Sequence, residues 1–134
     1  MADLARLDAD QLKQLARQSA AIVASCICDN SVFAGWGSLP LSLPENQLED
    51  IGTLLQDAYV EPSFVEYHPD GSRYESPTAP VAVHYFPYNR CNVARCTLCG
   101  RHYLRYVEAG GYFVDRRIRA LLDATLVSDA PLAA

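Results

Sequence analysis

Hydrophobic residues in the first thirty positions of the chain recur at helical spacing. One apolar stripe runs from Leu12 to Cys26 at intervals of three or four residues, which is typical of an amphipathic helix. Asp8 precedes the stripe, and Gln11 follows three residues later, in the form of a capping box. The pattern predicts a helix from residue 8 to about residue 27.

A second helical stripe is predicted after a loop at residues 31–41. Ser42 and Glu45 again have capping-box spacing, with a proline between them in the first turn. Pro62 cannot continue a helix, so this helix should end near residue 59. The apolar positions that define its buried stripe are Leu48, Ile51, Leu54 and Leu55.

From residue 64 onward, alternation of apolar and polar positions replaces the helical pattern. Gly71 lies in a turn where it suits a positive φ. Helices followed by a run of strands predict one α+β domain over residues 1–134, with the N-terminal helices packed on one face of a mostly antiparallel sheet. The predicted strands are 64–67, 73–75, 81–86, 101–108, 112–114 and 125–127, with a short helix at 118–122.

The composition is that of a globular protein, because 50% of the 134 residues are hydrophobic and 20% are charged. The chain contains no apolar run long enough for a membrane span. Its first residues carry no basic and apolar signal-peptide pattern, so we expect a cytoplasmic protein. Phosphate-binding glycine loops and known hydrolase motifs are also absent, which predicts a protein that is not an enzyme.

Three of the five cysteines lie between residues 91 and 99, which in a reducing compartment favours metal binding over disulfides. Cys96 and Cys99 form a C-x2-C pair followed directly by glycine, as in a zinc knuckle. Cys91 and His102 would complete a Cys3His set. We therefore predict a structural zinc ion held by Cys91, Cys96, Cys99 and His102.

Other interpretations of the cysteines stay open. If the end of the first helix folds over the loop, Cys26 or Cys28 would join Cys91, Cys96 and Cys99. The C-x4-C-x2-C spacing also matches the first three ligands of plant-type [2Fe–2S] proteins, although no fourth cysteine follows. The thiols would otherwise be reduced core residues, or would serve redox or nucleophilic chemistry.

Arginines and aromatic residues are interleaved in segment 85–119. Arginine binds phosphates and aromatic rings stack on bases, so this segment indicates a zinc-knuckle nucleic-acid-binding protein as an alternative function. In a second interpretation the tyrosines fill the faces of the sheet and the arginines pair with acidic residues. The arginines expected to contact nucleic acid are Arg90, Arg95, Arg101 and Arg105.

Charge is distributed unevenly along the chain. Residues 1–72 contain three basic and eleven acidic residues, a net charge of −8, whereas residues 73–134 carry a net charge of +3 from eight arginines and five acids. An acidic face steers a protein toward a basic partner. Within a loop, Trp36 between two glycines is either an exposed anchor for such a partner or a ring that closes the core.

In its size, acidity and lack of catalytic motifs, the chain resembles the small immunity proteins of bacterial toxin–immunity systems, such as those of contact-dependent growth inhibition. The resemblance implies that the protein binds a cognate toxin, commonly a basic nuclease, and masks its active cleft. Membranes are not expected partners. The residues expected to contact the toxin are Asp50, Asp57, Glu61, Glu66 and Trp36.

Overall fold

The fold, seen in a computed structural model that describes residues 4–28, 31–110 and 113–132, combines one α-helix with two β-sheets. The larger sheet has five antiparallel strands in the order β1-β6-β5-β4-β2, and β3 and β7 form a small parallel pair. The α+β class is confirmed. The elements are α1 (Ala9–Ala20), β1 (Gly37–Ser38), β2 (Leu48–Thr53), β3 (Val81–Ala82), β4 (Asn92–Cys96), β5 (His102–Gly110), β6 (Phe113–Ala120) and β7 (Val127–Ser128).

Both faces of the five-stranded sheet are covered. Successive strand residues point to opposite sides of a sheet, so neighbouring residues of β5 pack into different cores. Leu104 and Tyr106 of β5 face a core that also contains Leu12 of α1. Tyr103 of the same strand faces a second core, which contains Phe33 from the segment after α1. The chain after the helix must therefore cross from one side of the sheet to the other.

Helix α1 begins as its sequence predicts and ends earlier. The Gln11 amide donates to Asp8 Oδ1 at 2.8 Å and the Asp8 amide donates to Gln11 Oε1 at 2.9 Å, so the capping box is present. The helix ends at Ala20 rather than near residue 27, and Arg101 donates a hydrogen bond of 3.2 Å to the Ile22 carbonyl just beyond it. Within the described residues, no helix is both long enough and apolar enough to cross a bilayer.

The predicted second helix is wrong. A single 3-10 turn at Glu45–Gln47 leads into strand β2, which pairs with β4. Gly52 is a poor helix former. A Cβ at this position would lie 2.5 Å from Leu7 Cδ1, so a larger residue here would displace the Leu7 side chain. Pairing with a neighbouring strand has overridden the helical spacing of the leucines.

Among the predicted strands, 101–108 is confirmed. The predicted strand 81–86 is a strand only at Val81–Ala82, and most of 125–127 is a 3-10 turn, so that only Val127 lies in a strand. Segments 64–67 and 73–75 form no strand, although Gly71 has the expected positive φ of 81°. The predicted helix at 118–122 is replaced by the end of β6, which pairs with β5 up to Ala120. Strand β5 matches the prediction closely, and part of the turn that follows it lies outside the described residues.

A buried guanidinium joins three irregular segments. Arg119 of β6 is 1% exposed and donates to the carbonyl oxygens of Ala34, Pro77 and Ala79 at 3.2, 3.1 and 2.9 Å. It also donates to the Tyr88 hydroxyl, which accepts a second hydrogen bond from the Trp36 ring nitrogen. All of these acceptors are neutral oxygen atoms. Arg119 therefore contributes to the fold through several hydrogen bonds and not through an ion pair.

We expect the Arg119→Met substitution to lower the free energy of unfolding by about 3 kcal/mol, because buried carbonyls would lose their donor. The matched control is Arg116→Met on the same strand, where an exposed ion pair with Glu45 is worth about 1 kcal/mol or less. Urea unfolding followed by tryptophan fluorescence measures both. Equal destabilisation by the two substitutions would contradict the assigned role of Arg119.

Candidate metal centre

The turn between β4 and β5 presents two cysteines in the geometry of a metal knuckle. Cys96 ends β4 and Cys99 lies in the turn, followed by Gly100 at a φ of 87°. The Gly100 amide donates to the Cys96 carbonyl at 2.9 Å. A residue with a side chain would be strained at this φ, so the glycine after Cys99 serves the purpose that the sequence indicates.

A second pair of cysteines reaches this turn from the segment after α1. Cys28 is held there because the Tyr103 hydroxyl donates to its carbonyl at 2.7 Å. The Ser19 hydroxyl at the end of α1 accepts a 3.0 Å hydrogen bond from the His102 amide. These contacts fix the C-x-C pair of Cys26 and Cys28 over the β4–β5 turn.

The four sulfur atoms lie close enough together to bind one ion. All lie within 4.8 Å of one another, with Sγ–Sγ distances of 3.7 Å for Cys26–Cys96 and 3.4 Å for Cys28–Cys99. Thiolates about 2.3 Å from a tetrahedral metal ion would be about 3.8 Å apart. The arrangement is therefore consistent with a four-cysteine metal site.

The surroundings of the cluster favour a thiolate at one position. Burial opposes ionisation of Cys96, but hydrogen bonds from the Gln47 amide and from two backbone amides of the turn lower the pKa of its thiol to about 6. Gln47 Nε2 lies 3.5 Å from Cys96 Sγ and 3.7 Å from Cys26 Sγ. Burial raises the pKa of Cys28 instead, so its ionisation requires compensation by a cation.

The structure brings together a different set of residues from the one predicted. Cys96 and Cys99 belong to the cluster, whereas Cys91 and His102 lie elsewhere, and Cys26 and Cys28 take their places. Cys91 lies in the opposite core, and its Sγ donates to the Pro87 carbonyl at 3.2 Å. Burial raises the pKa of this thiol.

Strand geometry explains why Cys91 and His102 are excluded. Residues an odd number of positions apart point to opposite faces of a strand, so Cys91 and Cys96 cannot share one side. His102 pairs with Arg95 rather than with Cys96. Its Nε2 lies 3.4 Å from Gln18 Oε1, and burial lowers the pKa of the ring.

The residues expected to contact a toxin have different environments. Asp50 forms a 3.0 Å ion pair with Arg105, and Glu66 Oε1 lies within hydrogen-bond distance, 2.9 Å, of His68 Nε2. Asp57 and Glu61 are exposed. Trp36 is 5% exposed and packs against Tyr74, Tyr88 and Tyr106, so it closes the core and is not a surface contact.

Comparison with protein-family models, curated proteins and solved structures gave no match to this chain. The sequence offers one signal for the complete ligand set, namely a C-x-C pair followed far along the chain by a C-x2-C pair and glycine.

We expect protein purified after expression in metal-supplemented medium to contain one metal ion per chain. Each of four single substitutions removes one thiolate ligand and should lower that content at least several-fold. These substitutions are Cys26→Ser, Cys28→Ser, Cys96→Ser and Cys99→Ser. Elemental analysis of each variant measures the effect. Cys91→Ser is the matched control. It perturbs the core but should keep the metal. If Cys91→Ser lost the metal while the four other variants kept it, the four-cysteine set would be contradicted.

Proposed function

We propose that this chain is a cytoplasmic, non-catalytic immunity protein that binds and masks a basic protein toxin, and that one structural Zn²⁺ stabilises its fold. Zinc suits four cysteine ligands because it is bound tetrahedrally by thiolates without a redox change. Four protein ligands would leave no open position for water or substrate, as in structural rather than catalytic zinc sites.

The single observation that supports the binding function is an exposed pair of acidic side chains that form no ion pair among the described residues. No lysine or arginine occurs between Arg17 and Arg73 in the sequence. Asp57 and Glu61 are exposed within this region, and no ion pair involves either of them among the described residues. Free carboxylates raise the association rate with a basic protein and oppose the approach of nucleic acid.

The arginines of the alternative function are largely engaged within the fold, which favours the first proposal over nucleic-acid binding. Arg90 donates to the carbonyls of Pro62 and Ser63 at 3.2 and 2.9 Å. Arg101 is buried, and Arg105 pairs with Asp50. Of the four arginines expected to bind phosphates, Arg95 alone is exposed.

Removal of the metal tests the zinc part of the proposal. Treatment with a strong chelator should lower the melting temperature by about 10 °C or more, because zinc binding adds several kcal/mol to folding. Added Zn²⁺ should restore it, as measured by differential scanning calorimetry. The Cys99→Ser variant is the control and should not respond to chelator. An unchanged melting temperature in the wild-type chain would exclude a structural metal.

Survival of cells that express a candidate toxin, taken from the open reading frame next to this chain's gene, tests the immunity function. The wild-type chain should restore growth. In a separate binding measurement at low salt, the Asp57→Asn/Glu61→Gln variant should associate with the toxin about tenfold more slowly than the wild-type chain does. The matched control is Asp10→Asn/Glu49→Gln, which removes the same charge from exposed positions on α1 and β2. Equal killing with and without the wild-type chain would refute the proposal.

A further inference from the structure

We infer that residues 55–66, here called the acidic loop, form the surface on which the basic partner docks, with Tyr59 and Val60 as apolar anchors between Asp57 and Glu61. This inference rests on the proposed immunity function. The proposed surface combines apolar and acidic contacts. The charge of the region by itself would account only for long-range attraction of the partner.

The acidic loop exposes apolar side chains that the rest of the fold would be expected to bury. Tyr59 is 98% exposed, and Val60, Phe64 and Val65 are 61%, 61% and 57% exposed. By contrast, Tyr85 is 5% exposed and lies within the core. Aromatic residues dominate the binding energy of many protein interfaces, so an exposed tyrosine beside a valine has the composition of an anchor.

The acidic loop is held in place although it contains no helix or strand. Ser63 O accepts hydrogen bonds of 2.8 and 2.9 Å from Asn89 and Arg90. The Phe86 amide donates to the Val65 carbonyl at 2.8 Å. Because these contacts already order the backbone, binding there would lose less conformational entropy than binding to a free segment.

Arg90 also braces the aromatic part of the acidic loop. Its guanidinium lies 4.3 Å from the centre of the Phe64 ring and 4.7 Å from that of Phe86. The two rings are themselves 5.7 Å apart. The Arg90 guanidinium is thus engaged within the fold, and the Asp57 and Glu61 side chains stay exposed.

The negative charge of Asp57 and Glu61 identifies the chemistry of the occupant. A basic protein surface complements the carboxylates and covers the apolar side chains. A symmetric dimer that paired this loop with the same loop of a second copy would bring the carboxylates of Asp57 and Glu61 together. An anionic lipid surface or a nucleic acid would be repelled for the same reason. We therefore assign the acidic loop to a basic protein partner.

The test uses the full-length chain and a catalytically inactive form of the candidate toxin domain taken from the open reading frame next to its gene. Dissociation constants are measured by biolayer interferometry. Tyr59→Ala should weaken binding about 30-fold, as expected for an aromatic anchor, and Val60→Ser should weaken it by a smaller factor. Leu41→Ala is the matched control, because Leu41 is fully exposed outside the loop. It should change the dissociation constant less than about twofold.

The outcomes separate the two proposals. A wild-type chain that does not bind the toxin domain overturns both the immunity function and the docking surface. A wild-type chain that binds, combined with a Tyr59→Ala variant of unchanged affinity and melting temperature, overturns the docking surface alone. Sedimentation of the free chain as a dimer that Tyr59→Ala dissociates would assign the surface to a second copy instead.

Discussion

The fold depends on hydrogen-bond donors for backbone that belongs to no helix or sheet. Long irregular segments bring carbonyl groups into the interior, and buried carbonyls need partners. Guanidinium groups supply them, since Arg119 serves three carbonyls, Arg90 serves two and Arg101 serves one. A planar guanidinium offers five donors, whereas an ammonium group offers three on a flexible stem. This requirement gives a physical reason for arginine rather than lysine at positions 90, 101 and 119.

The sequence predicted those elements whose local signals agree with their tertiary surroundings. Helix α1 begins at a capping box that needs no partner beyond its own first turn. Residues 48–53 carry helical spacing but become the edge strand β2, because β4 offers a hydrogen-bonding partner that lies more than forty residues away in sequence. Ile118 likewise belongs to β6 since it pairs with Arg105. Spacing along one segment contains no information about such partners.

Two of the four cysteines in the candidate metal centre could be predicted from the sequence, because only those two form a local motif. Cys96, Cys99 and Gly100 form a local unit, and their sequence is sufficient to indicate a knuckle. Cys91 is near them in sequence, yet it faces the other side of the sheet. Completing the set required knowing that the chain after α1 crosses the β4–β5 turn, which hydrogen bonds from Arg101 and Tyr103 determine.

The distance in sequence between the two cysteine pairs has a consequence for biosynthesis. Cys26 precedes Cys96 by 70 residues, and Cys28 precedes Cys99 by 71. At a translation rate of about 5–20 residues per second, the first pair emerges from the ribosome roughly 4–14 s before the second pair emerges. During that interval the nascent chain carries two thiols without their partners. Closure of the cluster is therefore a late event of folding, and the nascent N-terminal segment is open in this period to oxidation or to competing metal ions.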